Sequence, residues 1–590
     1  MKKLAVPALA AMVLFCACTD EKKGGSDGGS DAGSCTPVCD QSNEQILWKC
    51  EGGVAVRYDC MAAQAMLCQD AKCIEPARFG NPKWGTCPDV KGGTPETLAS
   101  KAAFYDTIAS KIHLNANSNI TQHITLKDGR SIQTATGQDD VQSWHTDEND
   151  GLWSGHYLAS QAYRYAATGS PEALENVKSL LKGHRALQEV TGKPGIFARQ
   201  FVPAATRGMT CPSNPEEYTH NFTQKSGNRW QQVAEDGCIK IYDSGAGTWK
   251  KLDNCAGGST DPSQCWCIDR KYAGYCWQDN VSIDSLIGSI YSMGIVYRLI
   301  DDPAVRADCA DLVGKSIKTM IDNGMKFIDW DGLLTSFGSV YPLSGQEFPG
   351  FSAIMALSYV KTGAIVTGDK FFANFYRSCL LREKTAPKAD CSKVVEVDSY
   401  LNFITPELVG LYKTVDGCKN NYNNFNMTFM GLHTLLWFET DVKTREYIQN
   451  QLETDIMGNG SKRDMWFQKD SYFNFIYAAT KKLGKDSSGP AYQMVEDAVC
   501  SLRQFPTTKT YPLGLDNEKN YPFDCIGRLG GKNTTDPIPL NDRFLWIFTW
   551  SSDVYQMQTI APTTQFMFIP ADYLLPYWMG RYYGFISGDM

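Results

Sequence analysis

The chain has 590 residues, 57 basic against 65 acidic side chains and a net charge of −8. It carries no basic stripe with interleaved aromatics, so a nucleic-acid partner is set aside. Its 21 cysteines are too many for a reducing compartment unless they bind metal, and after the first residues no run reaches the roughly 18 apolar residues of a membrane span. The length is large for one domain but suits toroids and barrels.

At the start, Lys2 and Lys3 precede an apolar run from Leu4 to Phe15. It is too short to span a bilayer and reads as a signal peptide, residues 1–17. Phe15-Cys16-Ala17-Cys18 then resembles the lipobox of bacterial lipoproteins, in which the chain is cut before an acylated cysteine. Cys18 fits better than Cys16 because Ala17 supplies the small preceding residue, and ordinary secretion is the plainer alternative. The resemblance implies palmitate-type lipidation and a membrane partner through that anchor. Thr19 in place of aspartate favours the outer membrane, with the periplasmic and outer faces both open. Residues 18–34, ending in GGSDGGSDAGS, cannot bury a core and read as a flexible tether.

Cys35, Cys39, Cys50, Cys60, Cys68 and Cys73 crowd residues 35–78, a segment too short to fold without staples. A three-disulfide module is expected, with zinc disfavoured because no CxxC pair and no histidine occur there. Thirteen cysteines follow, an odd number, so one thiol is free or bridges to the module.

Residues 80–590 read as helices in pairs. Apolar residues at helical spacing cover 151–168 and, after Thr168-Gly169-Ser170-Pro171, a second helix runs to about Val190. The pattern repeats at 282–300 with 303–323, 351–366 with 370–381, 426–438 with 442–457, and 471–483 with 491–503. Each apolar helix meets a tight polar turn and then a more amphipathic helix. Such repeats stack because no single pair buries its own apolar face. With 94–112 and 571–586 as a sixth pair, the array resembles the (α/α)6 toroid, the six-hairpin scaffold of many glycoside hydrolases and polysaccharide lyases. The fold expected is mainly α, with short β-hairpin excursions and the disulfide-rich module in front; an open α-solenoid is the alternative. One hairpin is expected over 123–132, turning at Asp128-Gly129.

If the tight turns share one end, the loops into each first helix share the other. Those loops hold Trp144, His145, Asp147, Glu148, Asp150 and Trp153; Trp277 and Asp279; Glu347 and Phe348; Asn420 to Asn426 with Asn424; and Trp466 and Asp470. Aromatic faces with carboxylates and amides suit sugar rings and hydroxyls. Capping is the plain reading of Asp147, Asp150, Asp279 and Asp470, each at a helix start. Asp150 stands out because Asp147 and Asn149 already serve that terminus. His145 and His156 are structural or face the mouth, and the acidic run 147–150 could hold calcium but lacks EF-hand spacing. Asp331, in a turn at Gly332, caps or bends the chain, and Arg199 could pair with an acidic group.

No G-x-S-x-G, H-E-x-x-H or G-x-G-x-x-G motif occurs, and Cys265, Cys267 and Cys276 suit disulfides better than metal, so no cofactor or metal is expected. The resemblance implies an enzyme acting on poly- or oligosaccharide. As a glycosidase, Asp150 and one of Asp279, Asp284 or Glu347 would act as acid and base; as a uronate lyase, His145 or His156 would take a proton beside a carboxylate held by Arg199. Trp144, Trp153, Trp277, Phe348, Asn424 and Trp466 would line the substrate. A non-catalytic surface lipoprotein binding a glycan or protein is the other class.

Overall fold

The computed structural model describes residues 97–588 apart from 146–147, 205, 226, 253–265, 345–347, 395–396, 415, 459, 482–488, 507–508, 512 and 545–550. It also gives the backbone of five strands between residues 38 and 74. The signal segment, Cys18, the tether and the cysteine side chains before residue 97 lie outside the described residues, as do Asp147 and Glu347.

The chain divides into two compact units, residues 1–76 and 77–590. In the first, Val38–Cys39, Ile46–Glu51 and Val54–Asp59 form an antiparallel sheet in chain order. Leu67–Gln69 and Lys72–Ile74 form a separate hairpin.

The second unit is mainly α. Its helices are α1 (Leu98–Ile108), α2 (Asp150–Thr168), α3 (Pro171–Glu189), α4 (Ile283–Leu299), α5 (Pro303–Asp322), α6 (Pro349–Thr367) and α7 (Lys370–Phe375). They continue with α8 (Pro406–Val409), α9 (Tyr422–Phe438), α10 (Val442–Gln451), α11 (Ser471–Ala479), α12 (Pro490–Gln504) and α13 (Ala571–Tyr582). The spans expected at 370–381 and 442–457 begin as α7 and α10 and finish in wider-wound turns, Tyr376–Leu380 and Leu452–Ile456.

Two kinds of helix alternate, and composition explains why. In α4 nearly every side chain from Ile283 to Leu299 is buried, so it needs neighbours all round. In α5 the buried set is Val305, Cys309, Leu312, Val313, Ser316, Ile317, Met320 and Ile321, a stripe three and four residues apart that covers one neighbour and leaves a wet face. The buried helices pack in sequence: α2 on α4, α4 on α6, α6 on α9, α9 on α11, α11 on α13 and α13 on α2. The striped helices lie against them, α3 on α2, α5 on α4 and α6, α7 on α6, α10 on α9, α12 on α11 and α1 on α13. Helix α6 is long and apolar enough to cross a membrane, yet 78% of its apolar window is buried in this packing.

Contact between α2 and α4 is closest. A Cβ on Gly155 would stand 2.3 Å from the Gly288 carbonyl oxygen, and one on Gly288 would stand 2.4 Å from Leu152 Cα, so the backbones touch where only glycine fits.

Strands fill the excursions. Between α3 and α4 lies a five-stranded antiparallel sheet in the order Thr248–Leu252, Ile239–Asp243, Trp230–Val233, Cys276–Gln278, Gln200–Val202. Disulfides Cys211–Cys276 and Cys238–Cys267 staple it, while Cys379–Cys391 and Cys418–Cys525 lie further on. Among the described residues the free thiol is Cys309, buried in α5, where burial pushes its ionisation up. The hairpin expected over 123–132 turns at Gly129, at φ 77°, but closes elsewhere. His123–Leu126 pairs with Val141–His145 and with Phe566–Phe568, and Ile132 is buried in an intervening turn.

Candidate active site

The two ends of the helical pairs differ in how their helices begin. At the tight turns, Ser170, Asp302, Asp369 and Asp441 accept backbone N–H bonds and cap α3, α5, α7 and α10. Gly169 and Gly368, at φ 69° and 63°, close the preceding helices in left-handed conformations. At the opposite ends, α2, α4 and α6 start at Asn149, Ser282 and Phe348 with no side-chain cap bond.

At α2 and α4 the capping groups join the helices to each other. Ser282 Oγ donates to Asn149 Oδ1 at 3.2 Å, and Arg199 Nη2 donates to the same oxygen at 3.2 Å. Arg199 also donates to the carbonyls of Glu148 at 2.9 Å and Asn280 at 3.2 Å, and to Asn228 Oδ1 at 3.1 Å. Its guanidinium is buried and occupied by protein acceptors, so it supports the helix starts and has no open fork for a substrate carboxylate. Asp150, the first residue of α2, is 1% exposed. Asp284, in the first turn of α4, keeps part of its surface open; burial raises its carboxyl above the usual range and the Arg199 charge works against that shift. Asn423, at the start of α9, donates to Asp284 Oδ2 at 3.4 Å.

Asp279 belongs to a neighbouring knot. Lys225 Nζ lies 3.0 Å from Asp279 Oδ2, 2.8 Å from Asp329 Oδ2 and 2.8 Å from Asp331 Oδ2. Arg229 N donates to Asp279 Oδ1 and Trp330 Nε1 to Asp279 Oδ2, at 2.7 and 3.2 Å. Asp279, expected as a helix cap or a catalytic carboxylate, is 1% exposed and anchors the loop carrying Lys225 instead of capping α4. Burial, then the Asp329 charge, push its carboxyl up, while Lys225 opposes. Burial also works against the charge on Lys225, but the three carboxylates outweigh it and hold the amine protonated. Ligand atoms of His220, Asp279 and Asp331 lie within 4.8 Å of one another. The Lys225 ammonium bonded to both aspartates already supplies positive charge there.

A cavity of 420 Å³ opens at the start of α9. Its wall includes Asn420, Asn421, Tyr422 and Asn423 from the segment entering the helix, and Arg528, Leu529, Phe544, Asp553, Gln556 and Gln558 from the excursion before α13. The Asn420 side-chain oxygen and the Tyr422 hydroxyl are buried in this wall, and the Asn420 side chain faces the hydroxyl as its hydrogen-bonding neighbour. Asp553 accepts from Asn533 Nδ2 at 2.8 Å and from Tyr555 N at 3.0 Å; burial raises its carboxyl and these bonds oppose the rise.

The other expected residues are dispersed. His145 stacks on His123 at 4.1 Å and meets Ser143 and Thr125 hydroxyls in the sheet. His156 is wholly buried in α2, donates from Nδ1 to the Leu152 carbonyl at 2.8 Å, and is pushed down to about 4 by burial, so its imidazole is neutral at pH 7. Trp144 donates to the Ile112 carbonyl and packs on Gly208, and Trp153 is 5% exposed. Trp277 is fully buried with its ring edge-on to Trp330, so it offers no face to a ligand. Phe348 lies under Lys413, and Trp466 packs on Tyr477. Asn424 donates its backbone N–H to Asn421 and belongs to the α9 start beside the cavity. Asp470 does cap α11, accepting from Tyr472 N and Phe473 N.

Lys225, Arg528 and Asp553 carry no local pattern that singles them out. The signal that leads to Arg528 is the Cys418–Cys525 bond, which brings its hairpin beside Asn420 to Asn423. Compared with protein-family models and with curated protein sequences, the chain matches none.

Proposed function

We propose that the second unit is a six-hairpin (α/α) toroid, closed by α13 on α2, and that the chain is an exported lipoprotein hydrolysing glycan at the open end of that toroid. The observation that carries this reading is the 420 Å³ cavity with amides, a tyrosine hydroxyl and a carboxylate in its wall and a second carboxylate, Asp284, reached through Asn423. Amides and hydroxyls match the hydroxyls of a sugar, while Phe544 and Leu529 supply apolar surface for ring faces. Burial raises both carboxyls; Asp284, which accepts one long bond and keeps part of its surface open, is assigned as the proton donor, and Asp553, held by two shorter bonds, as the partner carboxylate. The lyase reading loses support because Arg199 is occupied and His156 is buried.

Asp284→Asn should leave folding intact and lower glycan turnover by about a hundredfold or more, the scale of a lost general acid. Asp150→Asn, whose carboxyl is buried at the start of α2, should instead lower the melting temperature. Full turnover in Asp284→Asn rejects the assignment; wild-type protein that binds glycan and cleaves none makes the chain a binding lipoprotein. The anchor has its own test: Cys18→Ala should release the protein from membranes, and unchanged acyl labelling would reject Cys18.

A further inference from the structure

We infer that the glycan held in the cavity at the start of α9 is acidic, and that Arg528 binds its carboxylate. This rests on the reading of that cavity as the glycan site.

The argument begins with how Arg528 is held. It stands at the tip of the hairpin formed by Phe523–Ile526 and Lys532–Thr534. Cys525 is bonded to Cys418, four residues before Tyr422 begins α9. Beneath, the fully buried Arg463 donates to Asp524 Oδ2 at 2.6 Å, the Thr534 carbonyl at 2.7 Å and the Asp416 carbonyl at 3.0 Å, tying both hairpin strands to the same segment. The tip is fixed as well, since Lys419 Nζ donates to the Gly527 carbonyl at 2.9 Å and Gly527 N to the Gly531 carbonyl at 2.7 Å. The backbone that carries Arg528 is thus fixed from below, while the tip itself, Arg528 to Gly530, is exposed.

Its bonding leaves capacity for a ligand. Arg528 Nη1 donates to Asn421 Oδ1 at 3.1 Å, and that oxygen also receives the Asn424 backbone N–H. Among the described residues no carboxylate lies within ion-pair distance of Arg528, and its side chain is exposed at the cavity wall. Asp553, the carboxylate on the same wall, is turned to Asn533 and Tyr555 N. The fork of donors that suits a carboxylate bidentately is thus steadied by one amide and otherwise faces the cavity. Asn421, Asn423, Gln556 and Gln558 on the same wall supply amides that can pair with the hydroxyls of the same sugar. Arg463 and Arg543 are buried and bonded to protein carbonyls, and among the described residues lining the cavity Arg528 is the cation.

The test uses the full-length protein with galacturonate, glucuronate and mannuronate oligosaccharides, their methyl esters, and neutral oligosaccharides of equal length. Wild type should bind a uronate oligosaccharide at least tenfold more tightly than its methyl ester, with the preference shrinking as salt rises. Arg528→Gln should lose about tenfold or more of that preference, the worth of a hydrogen bond to a charged group, with its melting temperature unchanged. Arg528→Lys should fall between. Equal affinity for acid and ester, or an unchanged preference in Arg528→Gln, overturns the inference. Turnover of neutral glycans alone overturns it too but leaves the proposed function standing, whereas no binding or turnover of any glycan rejects both.

Discussion

The tight-turn end and the open end of the helical pairs use the same residue types for opposite purposes. At the tight turns, Ser170, Asp302, Asp369 and Asp441 spend their oxygens locally on the N–H groups of the next helix. At the open end, Asn149 and Ser282 bond to each other and to Arg199, and Asp279 bonds to Lys225. These caps serve the helix they begin, with Lys178 as an added partner at Asp302, while Asn149, Ser282 and Asp279 are tied to distant segments. At α2 and α4 a polar residue before the helix is a node in a network, whereas Asp470 before α11, at the same end, is a cap like those of the tight turns.

The comparison breaks most easily at Lys225. Lys225→Met leaves Asp279, Asp329 and Asp331 buried without their shared cation, and about 3–5 kcal/mol of stability should be lost, the usual cost of removing one partner from a buried ion pair. A denaturant midpoint within error of wild type would show that the knot is not held by charge. Gly155→Ala probes the helix contact beneath the open end. With the Gly288 carbonyl 2.3 Å from the new methyl, α2 and α4 must part, and a loss of about 1–3 kcal/mol is expected from overpacking. Asp302→Ala, at a tight turn, should cost only about 1 kcal/mol at neutral pH and leave every glycan assay unchanged.

The Asp302 cap also has a pH signature. Bonds from the backbone N–H of Val305 depress its carboxyl below the usual range, with Lys178 adding to the effect. A depressed carboxylate stabilises the fold above its unfolded pKa, and that contribution fades as pH falls through the folded value. The gap between wild type and Asp302→Ala should accordingly close in acid, and thermal melts from neutral pH downward check it.

The helices were legible because apolar periodicity and turn residues agree. Pro171 and Pro303 follow Ser170 and Asp302 at the first helical positions, and the expected and observed boundaries there differ by a residue or two. The strand at 123–126 was legible, but not its partners, because alternation over four residues fixes a face and leaves the pairing to distant segments. The same limit governs the site. Asp150 and Asp284 could be placed at one end since helix starts share an end, yet nothing near Lys225 announces three aspartates at 279, 329 and 331. Arg528 reaches the cavity through a disulfide of sequence separation 107, and cysteine connectivity is not readable from spacing. Trp277 misled because a tryptophan in a polar loop looks exposed, while here it lies on the middle of a strand between Gln200–Val202 and Trp230–Val233.

The packing of α13 on both α1 and α2, with Phe566–Phe568 paired to His123–Leu126, joins the two ends of the second unit. During synthesis these partners emerge first and last. Until residue 582 has left the ribosome, α2 lacks one of its two buried neighbours, and contacts separated by more than 400 residues cannot form. Such long-range closure makes completion late and slow. The nascent chain therefore remains incompletely folded through most of its translation, and a stop codon before Ala571 should yield a product in which α2 keeps one face uncovered.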